Sequence, residues 1–253
     1  MNFYWLIALM LFGYMTAWYG VGLILKRNDV ADIAWGWGFV IFAWISLFIS
    51  EITIRGIFVS ILVTVWGVRL ASHIYLRNRN KPEDYRYQAW RNEWKNCYLR
   101  SYLQIYLLQG LFLYFIALPF LFINKSAMSG ITVLDVAGIL VWFIGFYFES
   151  VGDSQLKQFV SNPENKGKIM DQGLWRYSRH PNYFGEVTQW WGIFIIALSV
   201  PFGYLTIIGP LTITILILFI SGIPLLEKKR EGRADWEKYK KQTSIFFPLP
   251  PKK

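Results

Sequence analysis

Apolar residues along this chain fall into seven long runs, Phe3–Leu25, Ile33–Ser50, Thr53–Leu76, Tyr102–Ile123, Ile131–Val151, Tyr183–Val200 and Tyr204–Leu226. Each is close to the roughly 20 residues that a helix needs to cross about 30 Å of hydrocarbon, so the pattern predicts an all-α membrane protein with seven transmembrane helices. Polar residues collect between the runs: a short turn at 26–32, a stretch at 77–100, a Gly/Asn/Lys-rich loop at 152–182 and a charged tail from Glu227. The first run has no small-residue cleavage site after a short core, and its length suits an anchor rather than a cleaved signal. With no repeat, low-complexity tract or linker, the sequence reads as one domain over 1–253.

Basic residues sort by side. The connections after runs one, three and five, with the tail, hold 23 of the 26 Lys and Arg; Arg55 and Lys125 fall on the other side and Arg69 inside the third run. The positive-inside rule then places the N-terminus outside and the C-terminus in the cytoplasm. This distribution explains the net charge of +10 without nucleic acid as a partner. The 253 residues are 55% hydrophobic and only 17% charged, with a mean hydropathy of +0.33, which excludes a disordered chain and argues against an ordinary soluble globule. One cysteine, Cys97, and two histidines, His73 and His180, are too few for a Cys/His zinc site or an internal disulfide, so no metal is expected. Tryptophans at run ends, such as Trp35, Trp90 and Trp190, suit interfacial belts.

Ionisable groups inside or at the ends of apolar helices are expensive, about 2.5–3.5 kcal/mol near the bilayer centre on insertion scales, and ask for a reason. Glu149 and Asp153 are one helical turn apart at the inner end of run five, and Asn182 and Glu186 repeat the spacing at the start of run six. Glu227 closes run seven, with Arg230 and Glu231 a turn further on. The topology puts all of them on the cytoplasmic side, where they can line a polar pocket. The plainer alternative is that they snorkel and pair with Arg176, Arg179, Lys228 and Lys229 as helix-end salt bridges.

The segment Gly173-Leu-Trp-Arg176-Tyr177-Ser-Arg179-His180-Pro181-Asn182-Tyr-Phe-Gly185-Glu186 gathers cations, an amide and a carboxylate at a membrane boundary. Pro181 suits the first turn of a helix, whose N-terminal N–H groups and dipole attract anions. Arg176 and Arg179 add bidentate phosphate donors, while Asn182 and Glu186 offer hydrogen bonds to an amide or a ribose hydroxyl.

This run, with Asp29-Val-Ala-Asp32-Ile-Ala-Trp35-Gly36, Trp66-Gly-Val-Arg69-Leu and the tail Glu227-Lys-Lys-Arg230-Glu231…Tyr239…Pro248, resembles the steroid 5-alpha-reductase-like membrane proteins, in particular an uncharacterised bacterial branch of that superfamily. The resemblance implies an NADPH-dependent oxidoreductase in a bacterial inner membrane that reduces a carbon–carbon double bond conjugated to a carbonyl in a lipid-like substrate, a steroid among the candidates. The cofactor would be held within 131–253 by Asp153, Tyr177, Arg179, His180, Asn182, Glu186, Glu227 and Arg230, with Lys166, Lys168, Arg176 or Arg179 meeting its 2′-phosphate. The superfamily binds its nicotinamide without a Rossmann fold, so the absence of Gly-x-Gly-x-x-Gly is consistent with it. One position departs from the pattern: Trp66 stands where those reductases carry a proton-donating tyrosine. The acid role is left to Asp32, Arg69, His73 or Tyr75, with Asp32 the favoured carboxylate. Two other readings stay open, an S-adenosylmethionine-dependent membrane methyltransferase, although such relatives carry Ser in place of Asn182 and lack Glu186, and a non-catalytic lipid-binding protein.

Overall fold

Helix accounts for 76% of the protein in the computed structural model, which describes residues 2–128 and 130–252, and no strand occurs among the described residues. In chain order the helices are α1 (Phe3–Leu25), α2 (Val30–Phe48), α3 (Ile54–Asn78), α4 (Tyr85–Glu93), α5 (Cys97–Lys125), α6 (Val133–Ser161), α7 (Pro181–Ala197), α8 (Gly203–Lys228) and α9 (Ala234–Gln242). Six of them, α1, α2, α3, α5, α6 and α8, are long and apolar enough to cross a membrane, which marks an integral membrane protein. Every predicted apolar run has become a helix, but the sixth differs: α7 has 17 residues. At 1.5 Å per residue it spans only about 26 Å, because the helix stops at Ala197 although the apolar run continues to Val200.

Local chemistry sets the ends. Asn2 caps α1 by accepting from the Tyr4 N–H, and Thr53 caps α3 through the Gly56 N–H at 3.0 Å. At α6, Thr132 and Asp135 form a reciprocal capping box. Proline opens α7 at Pro181, where a missing N–H is harmless. α5 and α8 each contain a wider π-type stretch, Ser101–Leu107 and Leu216–Ile220.

The chain divides into two compact units. The first runs through Ile131 and takes back Val200–Ile208; the second holds Thr132–Ser199 and everything from Gly209 onward. In the first unit α2 packs along α3 and α5. A buried polar cluster ties the three together: the Asn124 side-chain N–H groups donate to the Ala43 carbonyl at 2.9 Å and to Ser46 Oγ at 2.8 Å. Such hydrogen bonds hold helices together in hydrocarbon, where no hydrophobic drive exists between apolar surfaces. In the second unit α6 and α7 lie antiparallel in the closest pairing of the fold, with glycines of each helix against the backbone of the other.

Candidate functional site

The α6–α7 pairing builds a ladder of acids and amides. Glu149 and Asp153 share a face of α6, and the antiparallel α7 presents Gln189 and Asn182 to them at matching heights. Gln189 Nε2 donates to Glu149 Oε2, and Asn182 Nδ2 donates to Asp153 Oδ1 at 3.0 Å. Glu149 and Gln189 are almost fully buried, at 2% and 1% exposure. Both amides use N–H groups on the carboxylates and leave the other atom bare: Gln189 Oε1 and Asn182 Oδ1 are buried with no hydrogen-bond partner. Two unpaired carbonyl oxygens at one helix interface are costly. Glu186, half-buried, lies on α7 between the two rungs in sequence. Gln189 escapes the sequence reading because it sits inside an apolar run; its spacing of seven from Asn182, two turns along the same face, was the available signal.

The signature segment before α7 forms a second cluster. Its turn begins at Gly173, whose φ of +57° lies in the left-handed region, and a Cβ there would meet the Gln155 side chain 2.5 Å away. Trp175 is then buried, its Nε1 donating to the Gly152 carbonyl at 3.0 Å and its own carbonyl accepting from the Tyr239 hydroxyl. Tail residues close over the segment: Arg179 N donates to Ser244 O at 2.8 Å, Ser178 Oγ to Phe246 O at 2.8 Å, and Leu249 N to Tyr177 O at 3.0 Å. At the centre stands Glu227. It accepts a fork from Arg179, Nε at 2.8 Å and Nη2 at 3.2 Å, while His180 Nε2 lies 3.1 Å from Oε1. Arg179 Nη1 donates to the Thr243 carbonyl at 2.6 Å. Arg230 lies over the Trp236 ring, 5.1 Å from its centroid, and burial pulls its guanidinium below the usual range.

The eight residues expected around a cofactor thus sort into two neighbouring groups. Asp153, Asn182 and Glu186 belong with the ladder. Arg179, His180 and Glu227 form a staple, with Arg230 beside it. The guanidinium of Arg179, expected as a phosphate donor, is directed inward to Glu227 and to backbone carbonyls, the arrangement that the salt-bridge alternative describes. Tyr177 is 43% exposed. Arg176, Lys166 and Lys168 are exposed, leaving them as the cations in position to meet a soluble anion.

Burial lowers the His180 imidazole below its ordinary value near 6.5, outweighing the opposing pull of Glu227. A base with a depressed folded-state pKa favours the fold above the unfolded value and loses that contribution as pH falls through the folded one. The detergent-solubilised protein should therefore lose thermal stability on going from pH 7.5 to 5.5, and His180→Gln should flatten that decline. Identical pH profiles for the two proteins would disprove the assignment.

In the first unit, Asp32 caps nothing. Its carboxylate accepts from the Tyr87 hydroxyl at 2.5 Å and from Arg86 Nη2 at 3.4 Å, and Gln109 Nε2 donates to the Tyr87 oxygen at 3.3 Å. Tyr87 is 4% exposed, and burial together with the charge of Asp32 pushes its phenol well above the usual range, so it stays protonated. Trp66, at 2% exposure, is a core ring packed edge-on against Phe39. Arg69 and His73 lie on α3, as does Tyr75, which is 55% exposed. Tyr87 was not legible beforehand: α4 is a short polar helix whose pattern gives no reason to bring one tyrosine to Asp32.

The family described as "Protein of unknown function (DUF1295)" matches residues 18–243 of the chain. No curated protein matches, and no solved structure matches.

Proposed function

We propose that this chain, which belongs to the DUF1295 family, is an NADPH-dependent membrane reductase of a carbon–carbon double bond conjugated to a carbonyl in a lipid-like substrate. The observation that carries the reading is the acid–amide ladder, Glu149 with Gln189 and Asp153 with Asn182, at the start of α7. A dinucleotide offers carboxamide N–H groups and ribose hydroxyls, the partners that carboxylates and amides hydrogen-bond. Asp153, Asn182 and Glu186 would hold those groups, and the exposed Arg176, Lys166 and Lys168 would meet phosphate. NADPH, when bound, supplies the hydride. The staple of Arg179, His180 and Glu227 fixes the entry to α7 and so positions Asn182, two residues from His180. In this reading α7 is a seventh crossing, the N-terminus faces outside, the C-terminus faces the cytoplasm, the lipid arrives from the bilayer, and the membrane is a bacterial inner membrane.

Titration of the solubilised protein with NADPH, followed by nucleotide fluorescence, tests the reading. Asn182→Ala should weaken binding about tenfold, the scale of one to two hydrogen bonds in a buried site. Saturable binding of S-adenosylmethionine with none of NADPH would replace the reductase by a methyltransferase. Against a panel of enones and enoyl lipids, stimulated NADPH oxidation is the expected result; a complete blank despite tight NADPH binding would favour the non-catalytic lipid-binding reading.

A further inference from the structure

Acids and bases separate at one end of the first unit. The C-terminal ends of α1 and α3 and the N-terminal ends of α2 and α5 come together there, tied by hydrogen bonds from Asn28 to Ser101 at 3.0 Å, from Asn78 to Asp29 at 3.4 Å and from Arg27 to the Lys81 carbonyl at 3.4 Å. Of the five carboxylates at this end, four are turned inward. Asp29 accepts a fork from Arg27, both contacts at 2.6 Å, and the Asp84 N–H at 3.1 Å. Glu83 takes Arg91 at 2.9 Å and Asp84 takes Arg86 Nε at 3.0 Å, while Asp32 takes the Tyr87 hydroxyl. These four side chains are between 1% and 19% exposed, and Glu93 alone is left on the surface. The cations do the opposite. Arg27, Arg86 and Arg91 are used on the acids, whereas Lys26, Arg77, Arg79, Lys81, Lys95 and Arg100 are all exposed. Among the described residues none of these six is in an ion pair.

Depth decides what these charges face. Leu25, Leu76 and Leu99 are exposed apolar side chains at the ends of membrane-length helices, and Lys26, Arg77 and Arg100 directly follow them in the chain. Arg79 is two residues beyond Arg77, so the charged surface begins where the lipid-facing surface stops. Tyr85, Trp90 and Tyr98 are exposed at the same end, as aromatic residues are at the level of lipid headgroups.

We propose that this end of the first unit binds the headgroups of anionic phospholipids in the surrounding bilayer, through Lys26, Arg77, Arg79, Lys81 and Arg100. Lipid is the occupant because the cations start at the last lipid-facing leucines, and its headgroup is negative because the chain has turned its own carboxylates away from them. The surface is separate from the acid–amide ladder, and its test does not depend on the reductase reading.

The full-length protein in detergent is incubated with equal amounts of dioleoyl phosphatidylglycerol and dioleoyl phosphatidylcholine, and retained lipid is read by native mass spectrometry. Wild type should prefer phosphatidylglycerol about tenfold, the scale of one to two basic residues at a headgroup. The triple variant Arg79→Gln, Lys81→Gln, Arg100→Gln should bring that preference to about twofold or less, and Lys81→Gln alone should roughly halve it. Lys125→Gln, an exposed lysine at the far end of α5, should keep the wild-type preference. Glycerol 3-phosphate in large excess should leave the bound phosphatidylglycerol in place. If the triple variant does not fold, Lys81→Gln and Arg100→Gln, each at an exposed position, decide singly. Equal retention of the two lipids by wild type, a wild-type preference in the triple variant or in both single variants, or a loss in Lys125→Gln as large as in Lys81→Gln would overturn the proposal. So would displacement of the lipid by glycerol 3-phosphate, which would make the surface a site for soluble phosphate.

Discussion

Glu227→Ala is expected to lower stability by about 3 kcal/mol, read as a fall of roughly 6–12 °C in the melting temperature of the solubilised protein, because removing one partner of a buried ion pair strands the other. The stranded group is Arg179, whose side chain is only 7% exposed, against 14% for Glu227. Two of its three nitrogens would lose a charged acceptor, leaving Nη1 on the carbonyls of Thr243 and Lys240. The lower end of the usual 3–5 kcal/mol range applies because Glu227 keeps some contact with solvent. His180 would lose its partner in the same substitution, so the tail contacts at Ser244 and Phe246 should loosen and the segment around Tyr177 should become more susceptible to protease. A double variant, Arg179→Met with Glu227→Ala, should recover much of the loss, since an apolar side chain does not need the missing charge. A Glu227→Ala protein that melts with wild type would mean that the staple contributes nothing to the fold.

The membrane architecture was legible in the sequence because hydrocarbon imposes one simple demand: each crossing must be long, apolar and helical. That demand places α1 at Phe3–Leu25, as read from the pattern alone, and the other long helices within about five residues, except α6, which runs on to Ser161 through ten residues that the pattern gave to the loop after Val151. Where α7 stops was less legible. The apolar run continues to Val200, but α7 ends at Ala197, with Leu198 as its C-terminal cap. On the site, spacing was informative within a helix and silent between helices. The one-turn spacing of Glu149 with Asp153 puts both on the face of α6 that meets α7, where Asn182 meets Asp153 and Gln189, which the spacing did not bring out, meets Glu149; which acid meets which amide depends on the relative height of α6 and α7, and that is set by glycine contacts that no periodicity reports. Arg179 illustrates the opposite error: its residue type suits phosphate, but the tail folds back to take it, a long-range contact across 48 residues. Tyr87 lies beyond pattern reading for the same reason, 55 residues from Asp32.

The register of α6 against α7 carries the largest effect in the molecule. A Cβ on Gly185 would lie 2.4 Å from the Glu149 backbone nitrogen and 2.5 Å from the Gly145 carbonyl oxygen. Both obstacles are backbone, so no rotamer change relieves them, and the helices must move apart. Gly185→Val is therefore expected to cost about 3 kcal/mol or more, at or above the upper end for overpacking. The separation also acts on chemistry. The rungs Glu149–Gln189 and Asp153–Asn182 flank Gly185 in sequence, four residues beyond it and three before it on α7, so an added side chain there pulls both apart at once and should abolish NADPH binding if the ladder holds the nucleotide. Gly13→Val on α1 is the matched control, since nothing lies within 4 Å of its added Cβ, and it should fold and bind as wild type. Folded Gly185→Val protein with wild-type melting would show that α6 and α7 do not depend on this contact. Folded but destabilised protein that still bound NADPH at wild-type affinity would instead separate the helix pairing from the proposed cofactor role and move the nucleotide elsewhere in the chain.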